Sequence, residues 1–329
     1  MTGSDDKKNP FLMDKDKLEP SALDADEYDR QERARREAMA DMEVQIIDSV
    51  RDTKSSPVEP VRLTGKDSFC FKCHKGVSCW NECCHDTDIT LTPFDILRLS
   101  RRLDVKPADF LAIYTYPQMW NRAELPVAKL SMIDAEGKKN PCVFMDAEEG
   151  CTVYEDRPVA CRYYPLGLAS VKMMSDTQTN DFYFLVREKH CKGHEESDEQ
   201  SVAEFRAGQG VEEYDTKNRG WMEILMKTVS WQILGGPYGQ EIDPRTKKMF
   251  FMATTDVDAF RRFVFETRFL ETYDVDPEFV EHIKTNDEML LKLAFDWLKN
   301  VMFADDTFAM KESVLQKAVA KAREDAGAT

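Results

Sequence analysis

The sequence has no run of apolar residues near the roughly 18 that a membrane-spanning helix needs. Its N-terminus, MTGSDDKKNPFLMDKDK, lacks the apolar segment of a secretory signal. Basic residues are outnumbered, with 45 Lys and Arg against 61 Asp and Glu, which gives a formal net charge of -16. We therefore expect a soluble, cytoplasmic protein without a membrane span. The negative charge excludes a general affinity for nucleic acid, because phosphate binding depends on a basic surface.

Two signatures of enzymes are also missing. The sequence shows no Ser-His-Asp arrangement and no glycine-rich loop of the kind that cradles a nucleotide. The nearest approach to such a loop, GGPYGQ at residues 235–240, is typical of a turn. The sequence alone therefore leaves open whether the protein is an enzyme.

Composition divides the chain into three parts. Residues 1–60 are rich in charge and poor in aromatics, which favours disorder, although residues 23–50 lack Pro and Gly and could form one helix. Residues 61–197 contain every cysteine, and residues 198–329 have mainly helical periodicity. The expected fold class is α+β, with a small cysteine-rich metal-binding domain of short strands and helices followed by a mainly helical C-terminal region.

Local signals predict several elements. Thr92, Pro93 and Asp95 are typical of a helix start, and a second helix is expected to begin at Pro107. Alternating β-branched and aromatic residues predict strands, whereas apolar residues at spacings of three and four predict helices. The predicted strands lie within residues 127–133, 166–174 and 181–188, and the predicted helices within residues 210–234, 255–273 and 277–303. Large aromatics of the helical part, such as Trp297, are expected in its core.

The nine cysteines are clustered, since all of them lie between Cys70 and Cys191. An odd count and the missing secretory signal favour metal ligation in a reducing compartment over a disulfide framework. The Cys70-x2-Cys73 spacing lets two thiolates reach one ion. Cys83 and Cys84 are adjacent, and neighbouring side chains tend to point to opposite sides of an extended backbone. Either one of this pair is spare, or the pair lies between two metal centres, which would use eight cysteines at four sulfurs per centre.

The identity of the metal stays open at this point. Sulfur-rich ligation suits zinc and iron-sulfur clusters such as [4Fe-4S] almost equally. Nitrogen ligands from His190 and His194 would favour zinc, but histidines with charged neighbours need no such role. Arg157 and Arg162 could offset the negative charge of thiolates or form ordinary surface ion pairs.

The order of these residues resembles the YkgJ-type cysteine-cluster family of zinc- or iron-chelating proteins. The shared motifs, from about residue 69 to residue 192, are F-C-x2-C, C-x3-C-C, I-x-L-T-P-x-D-I-L-R-L, P-C-x-F and G-C-x-V-Y-E-x-R-P-x-x-C-R-x-Y-P. In the last motif Pro158 and Pro165 restrict the preceding residue to extended geometry. The resemblance implies metal ligation by eight thiols: Cys70, Cys73, Cys83, Cys84, Cys142, Cys151, Cys161 and Cys191. The chain departs from the family pattern at KGVSCWNE, which supplies Cys79 and leaves open which of Cys70, Cys73 and Cys79 is the extra thiol.

The sequence therefore predicts a cytoplasmic metal-binding protein that holds an iron-sulfur cluster or zinc in one or two centres. The helical region would contact a protein partner or complete the fold. Flagellin lysine N-methylases look similar in the cysteine domain, so an S-adenosylmethionine-dependent protein lysine N-methylase is one alternative. A zinc-stapled interaction module is the other.

Overall fold

The computed structural model of the chain describes residues 58–59, 61–171, 180–233 and 241–325, together with residues 30 and 33. Apart from residues 30 and 33, the helix predicted within residues 23–50 lies outside the described residues. The turn predicted at residues 235–240 also lies outside them. The described parts of 57–168 and 182–329 belong to one compact unit. Residues 169–171 and 180–181 belong to a second unit.

Short strands and helices alternate in the first half of the described chain, and helices follow. The strands are β1 (Ser68–Cys70), β2 (Thr90–Leu91), β3 (Thr115–Trp120), β4 (Leu125–Leu130), β5 (Met145–Asp146), β6 (Gly150–Cys151), β7 (Leu166–Val171), β8 (Asn180–Leu185) and β9 (Glu199–Ser201). The helices are α1 (Pro93–Leu103), α2 (Pro107–Tyr114), α3 (Val159–Tyr163), α4 (Val202–Gln209), α5 (Val211–Ile233), α6 (Pro244–Thr255), α7 (Val257–Glu266), α8 (Phe269–Thr272), α9 (Pro277–Ile283), α10 (Asp287–Phe303) and α11 (Glu312–Asp325). The α+β fold class predicted from the sequence is confirmed.

The strands form small sheets. β2, β4 and β3 make a three-stranded antiparallel sheet in that order, and β1 pairs antiparallel with β9. The hairpin β5–β6 is antiparallel, with Met145 opposite Cys151, and β7 and β8 form a further two-stranded sheet. These strands bring segments that are distant in sequence to the cysteine region.

The predicted start of α1 is confirmed in detail. Thr92 Oγ1 accepts a hydrogen bond from Asp95 N at 3.2 Å, and Asp95 Oδ2 accepts one from Thr92 N at 2.8 Å. This reciprocal capping satisfies backbone donors that a helix start leaves unpaired. The helix predicted from Pro107 is also present, as α2.

The largest hydrophobic core extends from the helical part into the cysteine-rich part. Trp297 is 2% exposed and lies in this core, which confirms the predicted burial. Phe94 of α1 and Val127 of β4 belong to the same core. The three-part division at residues 60 and 197 stays a prediction, and these contacts mean that its second and third parts share one core.

The helical region differs from the prediction in several places, since the segment 255–273 forms two helices, α7 and α8, and helices α4 and α11 were not predicted. The segment 277–303 forms two helices, α9 and α10, because Asn286 caps the start of the second by accepting hydrogen bonds from Glu288 N and Met289 N. Helix α6 was not expected as a separate element, and its start resembles that of α1, with Asp243 as cap and Pro244 in the first turn. Among the described residues no helix is both long and apolar enough to span a bilayer.

Candidate metal centre

Eight of the nine cysteines face one cavity of about 590 Å³. They are Cys73, Cys79, Cys83, Cys84, Cys142, Cys151, Cys161 and Cys191. All nine cysteines are free thiols, so the disulfide alternative is absent from this structure. The structure therefore brings together seven of the eight thiols that the family resemblance implied, and it adds Cys79.

Cys70 is the exception among the predicted ligands. It lies in β1 opposite Glu199, between Phe69 and Phe71, which are both buried in a hydrophobic core. Side chains alternate across a strand, so the side chain of Cys70 points away from the side of its two aromatic neighbours. It is not among the residues that line the cavity in the described part of the chain.

Backbone hydrogen bonds hold three of the thiols next to one another. Cys84 and Cys142 are joined directly, because Cys142 N donates to Cys84 O at 2.7 Å. Cys151 lies in β6, and its strand partner Met145 donates from its backbone N to Cys142 O at 2.9 Å. The hairpin thus places Cys151 beside the segment that carries Cys142.

Cys161 reaches the cavity from α3, and the start of this helix is fixed by a buried carboxylate. Asp95 Oδ1 accepts a hydrogen bond from Val159 N at 2.8 Å. The residues that precede Pro158 and Pro165 have ψ angles of 148° and 127°, so the predicted extended geometry is confirmed. The capping carboxylate of α1 therefore also orients the helix that presents Cys161.

A second set of contacts connects the early and late cysteines. Cys79 Sγ accepts a hydrogen bond from Lys192 N at 3.1 Å, next to Cys191 in sequence. Lys72 N, next to Cys73, donates to Gly193 O at 3.0 Å. These bonds pack the segments of Cys73, Cys79 and Cys191 against one another.

Burial raises the pKa of most of these thiols. It raises the pKa of Cys73 to about 11, and neighbouring thiols act in the same direction. Cys161 is accessible to solvent through the cavity, yet protein surrounds it on most sides, and burial raises its pKa as well. Since metals bind the thiolate form, loading of this site must release protons.

The adjacent thiols Cys83 and Cys84 lie in a 3-10 turn, Glu82–Cys84. The Cys84 thiol donates a hydrogen bond to Cys83, which lowers the pKa of Cys83 and raises that of Cys84. The proton of the Cys84 thiol is therefore directed at Cys83. A metal that binds Cys84 as a thiolate would displace this proton.

Two buried arginines lie beside the cavity, and both differ from the surface ion pairs that were one expectation. Arg157 is 9% exposed, and its guanidinium stacks on the Tyr154 ring at 3.9 Å and donates to Gln209 Oε1. Its charge favours the thiolate forms of Cys73 and Cys151 and so lowers their pKa values. Arg157 can thus offset part of the negative charge of bound thiolates, as predicted.

Arg162 has a different role. It is 8% exposed, and it donates to three backbone carbonyls, those of Arg157, Gln209 and Glu155. Its guanidinium also lies over the Tyr214 ring at 4.6 Å. These contacts use its donors within the fold, so Arg162 fixes the backbone around α3.

The histidines near the cysteines differ in their availability as ligands. His85 Nδ1 lies 3.0 Å from Asn81 O, and His194 Nε2 lies 3.2 Å from Val186 O. His74 Nε2 lies 3.5 Å from Glu196. His190 lines the cavity, and its Nε2 is buried without a hydrogen-bond partner, although Glu188 is 3.5 Å away. A nitrogen donor at the cavity would therefore come from His190.

The donor set fits a metal group with several atoms. Soft thiolates suit zinc, copper(I) and iron-sulfur clusters. Among the residues that the structure describes, no three Cys, His, Asp or Glu side chains are arranged to hold a single ion. The thiols instead surround a volume that could accommodate a larger group, with Arg157 nearby to balance its charge.

A comparison with known families agrees with this chemistry. Residues 72–192 match the family model CxxCxxCC, which carries the description "Putative zinc- or iron-chelating domain". Neither the curated proteins nor the solved structures gave a match to the chain. The matched segment begins after Cys70 and contains all eight thiols that line the cavity.

Proposed function

We propose that the protein is a cytoplasmic iron-sulfur protein, on the premise that residues 72–192 match the family model of a zinc- or iron-chelating domain. The observation that supports this proposal is the cavity of about 590 Å³ surrounded by eight thiols. A cytoplasmic location agrees with nine cysteines that are all free, because thiols stay reduced in that compartment.

The size of the cavity favours a cluster over one ion. A zinc ion gathers four sulfur atoms around a single atom, each at about 2.3 Å. An iron-sulfur cluster places several iron and sulfide atoms between the same number of thiolates, so its ligands lie further apart. A cavity of about 590 Å³ lined by thiols is better suited to the second arrangement.

Zinc is the second candidate, and His190 favours it. The buried Nε2 of His190 has no hydrogen-bond partner and faces the cavity, and mixed Cys and His ligation is typical of structural zinc. In that case the zinc would stabilise the cysteine-rich domain, and the helices would be displayed for binding to a partner. The methylase hypothesis and a protein partner for residues 198–329 stay predictions from the sequence.

Anaerobic purification of the full chain followed by metal analysis tests the proposal. We expect a brown protein with absorption at about 400 nm, bound iron and acid-labile sulfide. A sample of the same protein produced in zinc-supplemented medium is the control for adventitious zinc. A colourless protein with stoichiometric zinc from both media would contradict the iron-sulfur proposal and support the second candidate.

A further inference from the structure

Hydrogen bonds between chain segments join six of the eight cavity thiols in two sets, Cys73, Cys79 and Cys191, and Cys84, Cys142 and Cys151. With Cys83 and Cys161 assigned by the arguments below, group A consists of Cys73, Cys79, Cys83 and Cys191, and group B consists of Cys84, Cys142, Cys151 and Cys161. The adjacent pair Cys83 and Cys84 contributes one thiol to each group. Cys70 belongs to neither group.

Group A is held together by contacts between the early and the late cysteine segments. Lys192 N donates to Cys79 Sγ, and Lys72 N donates to Gly193 O, so both ends of the group are joined through the main chain. Cys73, Cys79 and Cys191 all line the cavity from these joined segments.

Group B is held together by a separate set of contacts. The hydrogen bond from Cys142 N to Cys84 O and the β5–β6 hairpin join Cys84, Cys142 and Cys151. Cys161 lines the same cavity from α3, whose start is bound to α1 by the hydrogen bond from Val159 N to Asp95 Oδ1.

The vicinal pair is the place where the two groups meet. Cys83 and Cys84 both line the cavity from the 3-10 turn Glu82–Cys84, and Cys84 O accepts the hydrogen bond from Cys142 N. Neighbouring side chains rarely complete the same tetrahedron, and a pair in one 3-10 turn can instead serve two centres. Four sulfurs are also the number that a cubane cluster takes.

We propose that this cavity holds two metal centres, one ligated by group A and one by group B, with Cys79 as a ligand and Cys70 as a free thiol. This inference rests on the proposed function, because it assumes that the cavity thiols bind metal. It goes further in the number of centres, in the assignment of each thiol, and in the exchange of Cys70 for Cys79.

The test is a set of alanine variants of the full chain, purified anaerobically, with metal and sulfide measured per chain. Alanine is used because a serine oxygen could still ligate. Cys79→Ala should lose the group A centre, and Cys161→Ala should lose the group B centre, so each should retain about half of the metal of the unmodified protein. The double variant Cys79→Ala/Cys161→Ala should retain none, whereas Cys79→Ala/Cys191→Ala should retain as much as Cys79→Ala.

Cys70→Ala is the matched control, because it removes a thiol from the same segment that does not line the cavity, and it should retain all the metal. Loss of all metal from either single variant that still folds, by circular dichroism, would overturn the proposal, as would metal loss from Cys70→Ala. Native mass spectrometry of the unmodified protein gives an answer even if the variants unfold. The mass added per chain should equal that of two centres, and an added mass of only one centre would overturn the proposal.

The same measurements separate the two proposals. Two zinc ions per chain would overturn the iron-sulfur function and leave the two-centre assignment standing. One iron-sulfur cluster per chain would support the iron-sulfur function and overturn the two-centre assignment.

Discussion

At the residue scale, the charge of Arg157 is expected to raise the affinity of the site for metal. Burial raises the pKa of Cys73 and Cys151, and Arg157 partly offsets this rise. In Arg157→Gln both thiols should ionise at higher pH, and because metal must displace their protons, metal should be lost at a higher pH during acidification. We expect affinity to fall on the order of tenfold, which corresponds to about 1.4 kcal/mol of binding free energy. The measurement is the pH of half-maximal metal release.

Two controls accompany the Arg157 experiment. Arg157→Lys keeps the charge and should shift the midpoint less than Arg157→Gln. Arg102→Gln removes a charge from an exposed position of α1 and should leave the midpoint unchanged. An equal shift in Arg102→Gln and Arg157→Gln would mean that only net charge matters.

Gly150 is a second residue on which the site depends. Its φ is +85°, and a Cβ there would lie 2.7 Å from Trp80 Cζ2, so alanine would be strained and would push Trp80 away. Gly137 is a matched control with φ +76° and no atom within 4 Å of its Cβ position. Gly137→Ala should cost about 1 kcal/mol in the free energy of unfolding, and Gly150→Ala about 2 kcal/mol more. Chemical denaturation measures both.

The Gly150 result also bears on the metal. Gly150 precedes Cys151 in β6, so its substitution should lower metal content, whereas Gly137→Ala should not. Equal stability of the two variants would show that Trp80 moves at no cost.

At the residue scale the sequence predicts most of the site but not the exchange of Cys70 for Cys79. The motifs identify a thiol cluster, and seven of the eight implied thiols line the cavity. Spacing alone predicts that Cys70 and Cys73 bind the same ion, because spacing carries no information on the direction of each side chain. The alternation of Phe69, Cys70 and Phe71 was an available signal, since two buried aromatics in a strand turn the residue between them to the other face.

At the scale of elements, Asp95 links the start of α1 to the start of α3, and its ionisation should affect stability. It is fully buried, and burial raises its pKa to about 6. A carboxyl whose folded pKa lies above its unfolded value stabilises the fold at low pH, and this contribution is lost as pH rises through about 6. The stability advantage of the unmodified protein over Asp95→Asn should therefore shrink from pH 4 to pH 7, by up to about 3 kcal/mol.

Asp243 provides a control of opposite sign. It caps α6 on the surface, and hydrogen bonds from Thr246 hold its pKa below the usual range, so its contribution is lost as pH falls. The advantage over Asp243→Asn should shrink toward acid pH. Denaturation curves at several pH values measure both effects, and parallel trends for the two variants would contradict the assignment to Asp95.

Element boundaries were predictable where a cap was used as a signal. Thr92 and Asp95 predicted the start of α1 because a capping box is a local interaction. The break between α9 and α10 was missed because apolar spacing continues across it, although Asn286 carries the cap. A capping residue followed by proline, as in Thr92 and Pro93, occurs again at Asp243 and Pro244 and would have identified α6. Periodicity predicts which residues are buried, and caps predict where helices begin.

At the scale of the whole molecule, α3 connects the cavity to the helical core, because it presents Cys161 to the cavity and packs Val159 against the core, so the metal should stabilise both. Val159 of α3 packs against the core that contains Trp297 and against the core that contains Phe71. Phe94 N donates to Asn218 Oδ1 at 3.2 Å, which joins α1 to α5. Thiolates left without metal would repel one another or bind protons, and in either case the free energy of binding is lost from the folded state.

We therefore expect metal removal to lower the melting temperature of the entire compact unit, and not only of the cysteine segments. In a Trp80→Phe background, which removes the tryptophan that lines the cavity, tryptophan fluorescence reports on the helical core, where Trp221 and Trp297 are buried. Thiol accessibility reports on the cavity, and the two signals should show coincident transitions in both forms. Holo Cys70→Ala should melt with the unmodified holo protein, since Cys70 lies outside the cavity lining. If removal exposes the thiols while the fluorescence transition stays in place, the two regions fold independently, and the shared packing at Val159 contributes little to their coupling.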